Sequence, residues 1–132
     1  MNLIDVQVEK IKKEKRMGLM SHVIVGYPDL ESTIGMVREM DRSGVDFVEL
    51  QIPFSDPLAD GPTIMRACEK SLEQGTKVAD SFLIAEKLSK SISIPLLFMA
   101  TSSKLSERLP KVIRPATMMV RGIAMGTRSA SE

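Results

Sequence analysis

Hydrophobic positions in the first 100 residues follow two periods in turn. Short, nearly continuous apolar runs are typical of parallel strands buried on both faces, and they predict strands over residues 19–25, 45–52 and 95–99. Between the strands, apolar residues recur at helical spacing and predict helices over residues 30–43, 63–74 and 78–91. Gly44 and Gly75 follow two of these helices as C-terminal caps. The repeated alternation predicts a parallel sheet with right-handed crossovers.

A charged, amphipathic segment precedes the first strand. Residues 2–16 place Ile4, Val8 and Ile11 at roughly helical spacing, which predicts a helix laid across one end of the body. The basic run over residues 10–16 is interpreted as the solvated face of that helix.

Side chains of the second strand alternate between two faces. One face carries the apolar residues Val48, Leu50 and Ile52, and the other carries Phe47, Glu49 and Gln51. Glu49 therefore points toward whatever the second face encloses.

Two more acids follow in the turn-rich loop after this strand. Asp56 and Asp60 lie among Pro57, Gly61 and Pro62, which hold the loop in a defined path just beyond the C-terminal end of the strand. Active sites of β/α proteins lie at that end, and two carboxylates over one cavity indicate proton-transfer chemistry. The structural alternatives are a buried acid paired with a base for Glu49 and a turn-capping role for Asp60. For Asp56, between Ser and Pro, the turn-shaping role is favoured.

The run over residues 48–64 resembles the signature of the tryptophan synthase alpha chain family, and the resemblance extends over roughly residues 15–100. It implies that the fold is a (β/α)8 barrel. It also implies a lyase that cleaves indole-3-glycerol phosphate to indole and glyceraldehyde 3-phosphate in tryptophan biosynthesis. It also implies that Glu49 and Asp60 are the catalytic pair. The family further implies an α2β2 heterotetramer in which pyridoxal phosphate is carried by the beta chain, with no cofactor or metal on this chain.

The resemblance assigns distinct roles to the two acids. Glu49, partly desolvated on an inward strand face, is expected to give and accept protons. Asp60, on a wetter loop, is expected to stay ionised and accept a hydrogen bond from the indole N–H. His22, the only histidine, lies in the first strand. We expect it to be a buried core residue with its hydrogen bonds satisfied. The alternative is that it forms a wall against the indole ring.

The length of the chain limits how much of a barrel it can supply. A complete (β/α)8 barrel needs about 250 residues, and the chain has 132. Residues 1–100 are predicted to be the N-terminal part of a barrel, left incomplete. Residues 101–132 form an off-pattern tail, with six Lys or Arg against two Glu, expected to be disordered or the product of a change of reading frame. A phosphate grip after the seventh and eighth strands is missing, so the chain itself is expected to be inactive, and the alternative is a non-catalytic fragment that docks on the beta chain.

Composition limits the classes of partner and the cellular location expected for the chain. The chain is 43% hydrophobic and 27% charged, with a net charge of +1, which indicates neither a nucleic-acid nor a membrane partner. Its single cysteine, Cys68, excludes an internal disulfide and fits a reducing compartment; a small buried apolar role is expected for it. The predicted location is the cytoplasm.

Overall fold

The computed structural model describes residues 3–55 and 60–100, together with the backbone of residues 117–120. The elements in chain order are α1 (Leu3–Lys13), β1 (Met20–Ile24), α2 (Leu30–Arg42), β2 (Phe47–Gln51), α3 (Pro62–Glu73), α4 (Val78–Ser89), β3 (Leu96–Ala100) and β4 (Thr117–Val120). Each helix and strand predicted within the first 100 residues is present, with both ends within about three residues of the predicted bounds. None of the helices in these described ranges combines the length and the apolar character that crossing a membrane would require.

The strands form one parallel sheet in the order β1-β2-β3-β4. Helix α2 connects β1 to β2, and α3 and α4 connect β2 to β3. Strand order that follows chain order is the arrangement of a (β/α)8 barrel, whereas a doubly wound sheet reverses order near its middle. The predicted α/β class is confirmed, and the sequential order agrees with the start of a barrel.

The fourth strand was not predicted. Thr117–Val120 pairs in parallel with β3, and Leu97 is the register partner of Thr117. A run of only four residues inside a segment without periodic pattern gives too weak a signal to identify a strand. The remainder of the predicted 101–132 tail lies outside the described residues.

The main hydrophobic core lies between one face of the sheet and helices α2 and α4. Val48 and Leu50 of β2 are fully buried there against Val37 of α2 and Leu88 of α4. Phe82 and Phe98 pack edge to face, with ring centroids 5.2 Å apart and an interplanar angle of 65°, a geometry worth about 0.5–1.5 kcal/mol beyond the buried area. The alternation predicted for β2 is therefore confirmed on its apolar face.

The opposite face of the sheet, which carries Glu49 and Gln51 and is called the inner face below, is partly covered by α3. Ile24 of β1 packs there with Ala67 and Cys68 of α3, and all three are buried. The two helices after β2 thus cover opposite faces of the sheet. Helix α4 packs on the face that carries Val48 and Leu50, and α3 packs on the C-terminal end of the inner face.

A buried carboxylate anchors the N-terminal side of the sheet. Asp46, 1% exposed, precedes β2 and accepts hydrogen bonds from Gln7 Nε2, the Arg16 guanidinium and the Leu19 backbone N–H. The Arg16 guanidinium is the main reason that the pKa of Asp46 lies well below its usual range. Arg16 is exposed, as interpreted for residues 10–16, but its guanidinium also binds the buried Asp46, a contact that the sequence pattern did not predict.

Candidate active site

Glu49 is half-buried on the inner face of β2. Its register partners are His22 on β1 and Leu97 on β3, so these two side chains flank it on the same face. Adjacent strands lie about 4.8 Å apart, which puts both neighbours directly beside the carboxyl group. The structure thus gives Glu49 an apolar neighbour on one side and a titratable one on the other.

His22 is exposed, so the expectation of a buried core histidine is wrong. Strand β1 buries Val23 and Ile24 but leaves Met20 and His22 uncovered, because α3 reaches only the C-terminal end of the inner face. The alternative, in which His22 forms a wall beside a bound ring, stays a prediction.

Asp60 lies between the end of β2 and the start of α3. It is half-buried, and the next residue, Gly61, takes a backbone φ of +81° that non-glycine residues rarely adopt. Pro62 then begins α3 at the first helical position, where its fixed φ is favourable. The Asp60 carboxylate lies over the C-terminal end of β2, where its Oδ2 atom is 3.4 Å from Gln51 Nε2.

Gln51 joins Asp60 to the strand that carries Glu49. Its side chain is fully buried, and Nε2 faces both Asp60 Oδ2 and the Cys68 sulfur, the latter at 3.6 Å. Its Oε1 atom is buried without a hydrogen-bond partner among the described residues. The strand pattern placed Gln51 on the face of Glu49 but assigned it no function. The two-residue offset from Glu49 was the available signal.

Cys68 is a buried thiol, as predicted. Desolvation raises its pKa, with a smaller opposing effect from a hydrogen bond with the Phe54 backbone. A neutral, inaccessible thiol is a poor nucleophile.

The structure brings Glu49 and Asp60 to one end and one face of the sheet. Gln51, which contacts Asp60, is two residues beyond Glu49 along the strand, a rise of roughly 7 Å. Glu49 is thus a half-buried strand acid, and Asp60 is a half-buried loop acid beyond the end of the same strand. Asp56 and its predicted turn lie outside the described residues. Within residues 3–55 and 60–100, no three carboxylate, imidazole or thiol groups are grouped closely enough to hold a metal ion.

The chain is similar to known proteins of one family. Residues 8–108 match the family model described as tryptophan synthase alpha chain. A curated tryptophan synthase alpha chain from Syntrophotalea carbinolica is 42% identical over 97 residues, which cover 74% of this chain and 38% of that protein.

Solved structures show the same likeness. The tryptophan synthase alpha subunit of Legionella pneumophila superposes with a TM-score of 0.74 at 34% identity, covering 76% of this chain and 39% of that one. A ligand-free tryptophan synthase from M. tuberculosis gives a TM-score of 0.75 at 27% identity, with 81% and 43% covered. The chain therefore spans well under half the length of the proteins it matches.

Proposed function

The chain belongs to the tryptophan synthase alpha chain family, and from that premise we propose that it carries the N-terminal catalytic part of a lyase of tryptophan biosynthesis. The reaction is the cleavage of indole-3-glycerol phosphate to indole and glyceraldehyde 3-phosphate. The observation that carries the proposal is the placement of Glu49 on the inner face of β2 and of Asp60 above the C-terminal end of the same strand.

Glu49 serves as the proton shuttle. Its protonated carboxyl gives a proton to indole C3, which converts the ring to a cationic indolenine. The resulting carboxylate removes the proton from the glycerol C3 hydroxyl as the carbon–carbon bond breaks, and the bonding electrons return to the indole ring. Glu49 ends protonated, as it began, and its half-buried position suits a group that must exist in both states.

Asp60 serves as the electrostatic partner. Its ionised carboxylate accepts a hydrogen bond from the indole N–H. This hydrogen bond strengthens as positive charge develops on the indolenine, so Asp60 stabilises the transition state more than the substrate. Its position at the rigid Gly61–Pro62 junction limits the reorganisation needed during the reaction.

Membership of this family also supports binding to a beta chain. We place this chain's lyase in the cytoplasm as part of an α2β2 assembly with a tryptophan synthase beta chain, which would hold pyridoxal phosphate and consume the indole. No cofactor is assigned to the alpha chain, because acid–base groups and one carboxylate suffice for the cleavage.

A second candidate function is docking on a beta chain without catalysis. The two functions differ in whether residues 1–100 can support turnover once the barrel is complete.

The experiment is a completed barrel, made by joining residues 1–100 of this chain to the remaining C-terminal part of the Syntrophotalea carbinolica relative. The junction falls inside the matched range 8–108. We expect this completed barrel to release indole from indole-3-glycerol phosphate, measured in the absence of a beta chain. A completed barrel that unfolds cooperatively and binds a beta chain but releases no indole would favour docking alone.

A further inference from the structure

We infer that Gln51 is a positioning residue for Asp60, and that its amide fixes the loop carboxylate relative to Glu49. This inference rests on the proposed function. Three observations support it. The side chain of Gln51 is fully buried, its Nε2 faces Asp60 Oδ2 at 3.4 Å, and it also faces the sulfur of Cys68 at 3.6 Å.

The chemistry of the neighbours fixes which way the amide points. An amide group has two donors on nitrogen and an acceptor oxygen, and a carboxylate accepts hydrogen bonds without donating any. Rotating the amide by half a turn would place Oε1 against the Asp60 carboxylate, which would bring two acceptors together. Gln51 therefore offers its N–H groups to Asp60 and Cys68, and so links the loop carboxylate to β2 and α3.

The separation of 3.4 Å is longer than the usual range for such a bond. The contact is therefore a long hydrogen bond, and a small movement of the Asp60 side chain would shorten it.

The Oε1 atom has no hydrogen-bond partner among the described residues, which makes Gln51 a poor choice for stability. A buried acceptor without a partner lowers stability, and an apolar side chain of the same length would avoid that cost. Residues that lower stability at a fixed position commonly serve function there. The amide of Gln51 is therefore explained by its two donor contacts, of which the one to Asp60 is to a charged group.

The first test is Gln51→Met, which keeps the length of the side chain and removes its polar atoms. In the completed barrel we expect the thermal midpoint to stay equal or rise, while kcat falls about 10- to 100-fold, the size of effect that a small misplacement of a reacting group produces. KM should change far less than kcat. Unchanged kcat in a folded Gln51→Met protein would overturn the inference.

The second test is Gln51→Glu, which is close in shape but sets a second carboxylate against Asp60. Because like charges disfavour double ionisation, we expect the acidic limb of the kcat profile to move to higher pH. An unmoved limb would count against the inference. Leu83→Met on the exposed side of α4 is the matched control and should leave both kcat and its pH profile unchanged.

A third measurement separates this inference from the proposed function. In the 132-residue chain, the Asp60 side-chain carboxyl can be followed by carbon NMR as pH is varied, with no substrate present. Gln51→Met should raise the midpoint of that titration, because it removes a donor to the ionised form. If the midpoint rises but the completed barrel is inactive, the proposed lyase function is contradicted and the positioning contact is supported. If the midpoint is unchanged, the positioning contact is contradicted.

Discussion

Arg16 and Asp46 are joined by two hydrogen bonds of 2.7 Å, from the two terminal guanidinium nitrogens to the two carboxylate oxygens. This bidentate pair ties the segment after α1 to the N-terminal end of β2. Glu49 lies at the middle of the same strand, and Asp60 lies beyond its C-terminal end. The division agrees with the general pattern in β/α barrels, where the N-terminal end of the strands serves stability and the C-terminal end serves chemistry.

Replacing Asp46 should therefore affect folding. Asp46→Ala removes the acceptor for Gln7, Arg16 and the Leu19 N–H, and hydrogen bonds to a buried charged group are each worth about 1.5–3 kcal/mol. We expect the free energy of unfolding, measured by urea denaturation of the completed barrel, to fall by at least about 2 kcal/mol. Glu9→Gln, which alters only an exposed ion pair with Lys12, is the control, and equal losses in the two variants would contradict the anchoring role.

The same carboxylate gives a pH dependence with a definite sign. Because Arg16 lowers the pKa of Asp46 in the folded chain, the folded state binds fewer protons there than the unfolded state. The stabilisation is therefore complete above the ordinary Asp pKa of about 4 and is lost as pH falls below it. Urea midpoints measured from pH 7 down to pH 3 should fall more steeply in the parent than in Asp46→Ala; parallel curves would contradict this.

Gly26 should be intolerant of any side chain. Its φ is +84°, and an added Cβ would lie 2.5 Å from Ser71 Oγ and closer still to Thr76 Oγ1. Ser71 is fixed there because it donates a hydrogen bond to the Val25 carbonyl. Combining backbone strain with a steric overlap, Gly26→Ala should lower the free energy of unfolding by more than about 2 kcal/mol.

Gly35 is the matched control for that substitution. It lies within α2, and an added Cβ would meet nothing within 4 Å. Gly35→Ala should raise the free energy of unfolding by about 0.5–1 kcal/mol, since alanine favours the helix. Similar losses for the two glycines in the same denaturation experiment would contradict the account of the β1–α3 contact.

Much of the fold could be predicted from local pattern alone. The period of the apolar residues and the glycines after α2 and α3 give helices and strands whose bounds agree closely with the structure. The Arg16–Asp46 pair could not be predicted in that way, because a basic run with helical spacing has the same sequence signal whether its last member is solvated or reaches a buried acid 30 residues away.

The site was predictable in part. Glu49 was placed on the correct face by strand alternation, and its position half-buried beside His22 and Leu97 agrees with that. The contact between Gln51 and Asp60 depends on α3 folding back over the inner face, which is a tertiary packing event without a local signal. His22 was misjudged for the same reason, since its exposure depends on how far α3 reaches.

Removing the charge of Asp60 should slow the reaction without unfolding the barrel. Asp60→Asn keeps the size of the side chain and loses the ionised acceptor, and a lost preorganised electrostatic partner is worth about 3 kcal/mol in the transition state. We expect kcat for indole release by the completed barrel to fall by about 100-fold or more. A normal rate would leave Asp60 with a purely structural role at the start of α3.

Glu49→Gln in the completed barrel tests the central claim most directly, because the amide keeps the shape and hydrogen bonding of the carboxyl but cannot carry a proton. Glu73→Gln, on the exposed end of α3, is the control and should leave the rate unchanged. Indole release in a single turnover, with enzyme in excess over indole-3-glycerol phosphate, should fall in Glu49→Gln by about 10²- to 10⁴-fold, the usual contribution of general acid–base catalysis. A Glu49→Gln protein that retains more than about a tenth of the parent rate, well short of that loss, would contradict the assignment of Glu49 as the proton shuttle.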